Sequence, residues 1–189
     1  MNQEDSVVDS HITLPNLITM VRILAVPLFL IFLLSNSYGR AMTIFVIAGL
    51  SDLADGYIAR NFKLKSPLGA ILDPLADKLL MTASYLALGY FGKIPAWLTV
   101  VVISRDIVIL GGIIALKLFG VNFRIDPTRI SKWATAFQLL TVFLALLREL
   151  SPLPYWALLA SCWLTTYFTV ASGLVYMNRG MRLLNGTEK

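Results

Sequence analysis

Four aspartates at regular spacing are the residues of this sequence best suited to chemistry. Asp52 and Asp55 are three residues apart, and Asp73 and Asp77 are four residues apart. Residues three or four positions apart lie on the same face of a helix, so each pair would project its carboxylates from one side. A short basic segment separates the two pairs, so neighbouring helices would bring all four carboxylates into one cavity.

These aspartates, together with Asp106, lie in segments that otherwise resemble membrane spans. An aspartate at the centre of a span costs about 2.5 to 3.5 kcal/mol, so such residues usually mark ion paths, proton relays or catalytic cavities. A structural ion pair with Arg60, Lys78 or Arg105 is the alternative for any one of them. Four carboxylates in one cavity would repel one another unless hard cations with oxygen ligands neutralise them. We therefore predict a site for two divalent cations, Mg²⁺ or Mn²⁺.

The elements that position these residues are predicted from composition. The chain has 189 residues, of which 57% are hydrophobic and 14% are charged, and its mean hydropathy is +0.74. A membrane-spanning helix needs about 20 mostly apolar residues, which leaves room for about six spans. We predict an all-α, polytopic membrane protein with six transmembrane helices. The apolar segments run approximately over residues 14–35, 40–60, 66–91, 94–119, 128–150 and 154–177.

The chain is expected to form one membrane domain, 14–178, between a polar juxtamembrane segment, 1–13, and a basic tail, 179–189. Lys and Arg concentrate in the second-to-third and fourth-to-fifth connections and in the tail, which predicts that both termini and the aspartate cavity are cytoplasmic. The first 11 residues contain no Lys or Arg, unlike a transit segment, which favours the bacterial inner membrane. The basic residues are too dispersed for nucleic acid, and the single Cys162 excludes a disulfide framework.

Small and polar residues near the aspartates suit a bulky phosphate ligand. Gly56, Ala59 and Gly69 would let a phosphate approach the backbone, although close packing of helix on helix explains each glycine equally well. Arg60 can offer a bidentate fork to phosphate, or serve as a cytoplasmic anchor. On the first segment, Asn16 and Thr19 are interpreted as cytidine or phosphate contacts, with helix capping by Asn16 as the alternative.

The spacing of these residues resembles the signature of the CDP-alcohol phosphotransferase family, also called CDP-alcohol phosphatidyltransferases. The matching pattern is Asp52-x-x-Asp55-Gly56-x-x-Ala59-Arg60, eight residues, then Gly69-x-x-x-Asp73-x-x-x-Asp77. The resemblance implies a fold of six helices and a homodimer. It also implies a reaction in which the phosphatidyl group of CDP-diacylglycerol is transferred to an alcohol and CMP is released.

The resemblance also implies roles for the signature residues. Asp52, Asp55 and Asp73 would bind two divalent metals, and Asp77 would be a further ligand and the general base. The CDP group would be held by Gly56, Ala59, Arg60 and Gly69.

A basic set on the fourth and fifth segments, Arg105, Arg129 and Lys132, would suit an acceptor that carries a phosphate. The sequence around these residues is similar to that of cardiolipin synthases of the CDP-alcohol type, which use phosphatidylglycerol. Phosphatidylglycerophosphate synthases, which use glycerol 3-phosphate, usually have Arg-Glu at 105–106 and another arginine at 111–112. Short chains of this kind are nevertheless more often phosphatidylglycerophosphate synthases, so both acceptors stay open.

A small membrane transporter that uses intramembrane aspartates is the alternative from another functional class. Transporters commonly contain inverted repeats and bind substrate at the midplane. Here no repeat is evident, and the aspartates crowd the ends of the second and third segments, beside the basic connection. Release of CMP from CDP-diacylglycerol would distinguish an enzyme from a transporter.

Overall fold

In a computed structural model, the described part of the chain forms six α-helices. The structure describes the backbone of residues 14–62, 69–118 and 128–184, and the side chains of 20–51, 76–116, 118 and 128–183. No strand occurs in this part of the chain, so the predicted all-α class is confirmed. The helices are α1 (Leu14–Leu34), α2 (Tyr38–Phe62), α3 (Gly69–Tyr90), α4 (Ala96–Leu118), α5 (Arg129–Arg148) and α6 (Tyr155–Leu184).

Three of the helices contain stretches long and apolar enough to cross a membrane. These stretches are Ala96–Leu116 in α4, Arg129–Arg148 in α5 and Tyr155–Leu183 in α6. α1 and α2 contribute shorter apolar stretches, Met20–Leu34 and Tyr38–Ser51, within the described side chains. The count of six spans therefore stays a prediction.

The first compact unit lies within residues 1–80 and contains the α1–α2 hairpin. α1 ends at Leu34, and Asn36 in the following turn adopts a positive φ of 53°, which asparagine tolerates. The Ser37 carbonyl then accepts a hydrogen bond from Ala41 N at 3.0 Å as α2 begins. The rings of Phe29 and Phe45 meet at 6.1 Å between the two helices, and both side chains are buried.

The second compact unit, residues 81–189, contains the end of α3 together with α4, α5 and α6, and α6 packs against both α4 and α5. α3 turns into α4 at Gly92, whose φ of +64° suits a residue without Cβ. α3 and α4 approach closely beside this turn. A Cβ at Gly89 would collide with Thr99 Oγ1, so the approach requires glycine at this position. The same hydroxyl donates to the carbonyl oxygen of Tyr85 at 3.1 Å.

Buried hydroxyl groups connect the middle of α5 to α6. On α6 these are Ser161, Thr165 and Thr169, which we call the α5–α6 polar seam together with their partners on α5. Thr165 Oγ1 lies 2.8 Å from Thr141 Oγ1, and Gln138 Nε2 donates to Thr169 Oγ1 at 3.2 Å. In lipid the hydrophobic effect does not drive helices together, so hydrogen bonds between small polar residues contribute to the stability of this contact.

α6 is longer than the sequence predicts. The apolar segment was expected to end near residue 177, whereas the helix continues to Leu184. Arg, Met and Leu are good helix formers, so the helix persists after hydropathy falls. The first residues of the predicted basic tail are therefore helical.

An ion pair in the second unit joins the α3–α4 connection to the α5–α6 connection. Lys93 Nζ, in the α3–α4 turn, lies 2.6 Å from Glu149 Oε2, which caps α5. Next to it, the Arg148 guanidinium lies 4.9 Å from the centroid of the Tyr155 ring. These contacts join the α3–α4 and α5–α6 connections.

Candidate active site

The eight signature residues lie on two helices of the first compact unit. Five of them, from Asp52 to Arg60, occupy the second half of α2, and three, from Gly69 to Asp77, begin α3. Both stretches are helical, as the spacing argument requires, so each pair of aspartates keeps its helical offset. The side chains of all of them except Asp77 lie outside the described residues.

Asp77 is half-buried on α3, next to the fully buried Ala76. Among the side chains that the structure describes, no group of three or more His, Cys, Asp or Glu residues comes together. Three of the four predicted metal ligands fall outside that set, so the metal site stays a prediction.

α1 contains the other predicted CDP contacts. Asn16 and Thr19 lie in its first turns, with side chains outside the described residues. Arg22, one turn further on, is only 2% exposed. Arg22 continues the three-residue spacing of Asn16 and Thr19 along α1.

Arg105 on α4 makes side-chain hydrogen bonds to three residues, and its side chain is 9% exposed. Its Nη1 donates to Asp106 Oδ1 at 2.7 Å. Its Nη2 donates to Ser131 Oγ on α5 at 2.8 Å and to Ser172 Oγ on α6 at 2.9 Å. One side chain thus connects three helices, in what we call the Arg105 joint: Arg105, Asp106, Ser131 and Ser172. For Asp106, the structural ion pair considered as an alternative is present.

The other two members of the predicted basic set, Arg129 and Lys132, are exposed at the start of α5. Thr128 caps this helix, since its Oγ1 accepts a hydrogen bond from Ser131 N at 3.2 Å. The first turn contains no acidic residue. Two cations therefore add to the positive end of the helix dipole, which makes this turn favourable for an anion. The structure links Arg105 to the same turn through Ser131.

Sequence reasoning missed Ser131 and Ser172. They are 26 and 67 residues from Arg105 along the chain. No spacing rule relates residues so far apart on three different helices. A signal for Ser172 existed only in the repeat of small hydroxyl residues along α6.

Residues 12–171 match the CDP-alcohol phosphatidyltransferase family. The chain belongs to this family. The match covers most of the sequence and includes all eight signature positions on α2 and α3. The family predicted from the signature is therefore confirmed.

Relatives of this CDP-alcohol phosphatidyltransferase carry two different names. It is 37% identical over 176 residues to the cardiolipin synthase (CMP-forming) of Rattus norvegicus, a match covering 85% of this chain and 58% of the rat protein. It is 34% identical over 190 residues to the CDP-diacylglycerol–glycerol-3-phosphate 3-phosphatidyltransferase of Bacillus subtilis, covering 90% and 96%. It is 31% identical over 183 residues to a probable phosphatidylglycerophosphate synthase of Mycobacterium tuberculosis, covering 93% and 85%.

The chain thus spans little more than half of the rat relative but nearly the whole Bacillus subtilis relative. Both names occur at similar identity, so the comparisons leave the acceptor open between the two predicted compounds. They give no support to the transporter alternative.

The four predicted ligands suit a hard divalent cation. All four predicted ligands offer carboxylate oxygens, which Mg²⁺ and Mn²⁺ prefer over nitrogen or sulfur. Asp52 and Asp55 remain at an i, i+3 offset and Asp73 and Asp77 at an i, i+4 offset within observed helices. The residues present therefore fit the predicted metals by chemistry and by helical spacing.

Proposed function

We propose that this chain transfers the phosphatidyl group of CDP-diacylglycerol to a glycerol-based acceptor and releases CMP. The observation that carries the proposal is the complete signature on α2 and α3, within a family match over residues 12–171. In the reaction, the acceptor's hydroxyl oxygen forms a bond to the lipid-side phosphorus. The bond from that phosphorus to the bridging oxygen breaks, and CMP leaves with the bonding electrons.

The carboxylates divide the work between metal binding and proton transfer. Asp52, Asp55 and Asp73 would hold two divalent cations, with Asp77 as a further ligand. When bound, two such ions neutralise a pyrophosphate and stabilise the charge that develops on the leaving group. Asp77 would take the proton of the attacking hydroxyl, and its half-buried position on α3 is compatible with contact to a substrate.

The CDP group would be held by residues of the first unit. Gly56, Ala59 and Gly69 leave room for the pyrophosphate, and Arg60 supplies a charged fork. Asn16 and Thr19, in the first turns of α1, would contact cytidine or phosphate.

The acceptor would be bound through its phosphate by the basic set of Arg105, Arg129 and Lys132. Support comes from the start of α5, where Arg129 and Lys132 are exposed on a capped helix end without acidic residues. Phosphatidylglycerol, which gives cardiolipin, and glycerol 3-phosphate, which gives phosphatidylglycerophosphate, both carry such a phosphate. Relatives with both names leave the two nearly balanced.

We further propose that the enzyme is a homodimer of the bacterial inner membrane, with both termini and the active site facing the cytoplasm. The distribution of Lys and Arg between the connections supports this orientation.

The decisive experiment supplies purified, full-length protein with CDP-diacylglycerol and Mg²⁺, together with either phosphatidylglycerol or glycerol 3-phosphate. CMP release and the lipid product are measured in each arm, and Asp77→Asn is the control for contaminating activity. Cardiolipin in the first arm or phosphatidylglycerophosphate in the second identifies the acceptor. No CMP above the Asp77→Asn control in either arm would contradict the proposed function.

A further inference from the structure

The Arg105 joint uses most of the hydrogen-bonding capacity of its arginine inside the protein. Both terminal nitrogens are engaged, one by Asp106 and the other by two serines. The remaining nitrogen, Nε, is buried, and no residue that the structure describes accepts a hydrogen bond from it. Three of the five N–H donors of this guanidinium are thus used inside the protein, and the buried Nε is not exposed to a phosphate arriving from outside.

The charge of Arg105 is also compensated. Its Nη1 lies 2.7 Å from Asp106 Oδ1, and both side chains are largely buried, at 9% and 14% exposure. A buried ion pair of this kind attracts a further anion much less than a lone arginine does, because the carboxylate repels the anion at nearly the same distance. The two exposed cations of α5 have no such compensation in their own turn.

One partner of Arg105, Ser131, lies in the first turn of α5. Ser131 stands between Arg129 and Lys132, and its backbone N–H is already bound to the capping Thr128. The nearest contacts of the α5–α6 polar seam on α5, at the carbonyl of Phe137 and the side chain of Gln138, lie about two helical turns further along. Among the described residues, the Arg105 joint is therefore the interhelical polar anchor of the turn that displays the two exposed cations.

The α6 side of the joint is shaped for the same contact. Ser172 is fully buried, and a Cβ added at the neighbouring Gly173 would lie 3.7 Å from Arg105 Cγ. The arginine stem therefore passes beside α6 at Gly173, at a distance that would be ordinary contact for a Cβ there, while its head reaches Ser172 and Ser131.

We propose that Arg105 is a positioning residue: held by Asp106, Ser131 and Ser172, it fixes the first turn of α5 against α4 and α6, so that Arg129 and Lys132 meet the acceptor's phosphate. The proposal rests on the proposed function and revises the role of Arg105 within it. It also assigns specificity-supporting roles to Ser131 and Ser172.

The test uses full-length Ser172→Ala and Ser131→Ala enzymes, which remove a contact of Arg105 but keep every charge. We expect each variant to raise the KM for the acceptor about fivefold to tenfold, the effect of losing about one hydrogen bond. The KM for CDP-diacylglycerol and kcat should change less than about twofold, because the donor residues are untouched. The acceptor is whichever of phosphatidylglycerol and glycerol 3-phosphate the wild-type enzyme uses.

Ser161→Ala is the matched control. Ser161 is also a buried serine of α6, but it belongs to the polar seam: its hydroxyl donates to Leu158 O and accepts from Thr141 Oγ1. The Ser161→Ala variant should keep the wild-type KM for the acceptor, even if its thermal stability falls as much as that of the Ser172→Ala variant.

A second measurement does not depend on activity. In the absence of substrate, amides of residues 129–135 should exchange hydrogen faster in Ser131→Ala and Ser172→Ala than in wild type, while residues 141–148 should not. If Arg105 only contacts the acceptor, exchange in the substrate-free protein stays unchanged and the serine variants keep a normal acceptor KM. Either result overturns the proposal. If wild type releases no CMP, the proposed function fails, and the exchange measurement still decides whether the joint fixes this turn.

Discussion

Asp77 differs from the other signature aspartates in its predicted role, since it alone is expected to accept a proton as well as to bind metal. Its place in the signature and its helical offset from Asp73 could be predicted from residue spacing. The partners of Arg105 could not be predicted in this way, because they depend on how three helices pack. Local periodicity thus predicts which residues share one helix face, and it leaves contacts between distant helices undetermined.

The first residue-scale prediction separates proton acceptor from ligand. Asp77→Asn keeps the size and one oxygen but cannot take up a proton, so kcat should fall about 10²-fold or more. Asp73→Asn should weaken Mg²⁺ binding, and excess Mg²⁺ should partly restore its activity. The measurement is kcat over a range of Mg²⁺ concentrations for both variants. Equal rescue of both would show that Asp77 acts only as a ligand.

The second residue-scale prediction concerns the exposed cations of α5. Arg129→Ala and Lys132→Ala should each raise the acceptor KM by about tenfold, because a charge-assisted contact to phosphate is lost. Their KM for CDP-diacylglycerol should stay nearly constant. Arg148→Ala removes an exposed cation from the opposite end of the same helix and serves as the control. An equal rise in both KM values would show that these cations do not distinguish acceptor from donor.

At the scale of helices, the sequence predicted six segments and their order, because hydropathy and breaker residues are local signals. Proline residues at 152 and 154 and Gly92 mark connections in the structure as expected. The sequence did not indicate which helices touch. The α5–α6 polar seam, for example, joins residues more than 20 positions apart, such as Thr141 and Thr165.

The element-scale prediction tests the close approach of α3 and α4. Gly89→Ala should lower the free energy of unfolding by about 1 to 3 kcal/mol, because its Cβ would meet Thr99 Oγ1. The loss should shrink in a Thr99→Ala background, where that oxygen is absent. Thermal or denaturant unfolding in detergent measures both.

Gly111→Ala is the control for this effect. Nothing lies within 4 Å of a Cβ at Gly111, which is also inside a helix. Alanine there should leave stability unchanged or raise it by up to about 1 kcal/mol, as helix propensity predicts. A similar loss at both positions would mean that the Gly89 contact is not what destabilises the variant.

For the whole molecule, family membership was predictable from eight positions of the sequence, whereas the acceptor was not. The proposed donor and metal site uses residues of the signature, so it leaves a fixed pattern in the sequence. In the proposed function the acceptor is bound by a few cations, and their placement depends on packing such as the Arg105 joint.

The whole-molecule prediction is metal dependence. EDTA should abolish CMP release, and Mg²⁺ or Mn²⁺ in excess should restore it, since four neighbouring carboxylates need cations to bind a pyrophosphate. Ca²⁺, which has a larger radius and looser geometry, should restore less activity. Full turnover in chelator would contradict the predicted metal site.

The unequal lengths of the helices have a consequence for the host bilayer. At 1.5 Å per residue, the 30 residues of α6 extend about 45 Å, while the 20 residues of α5 extend about 30 Å, close to the hydrocarbon thickness of a typical bilayer. A thicker bilayer can be spanned by α6 with less tilt, but α5 has no length to spare. Its first turn, with Arg129 and Lys132, would be drawn toward the acyl chains, and hydrophobic mismatch would oppose this. In bilayers of increasing acyl-chain length, acceptor KM should therefore rise before the protein unfolds.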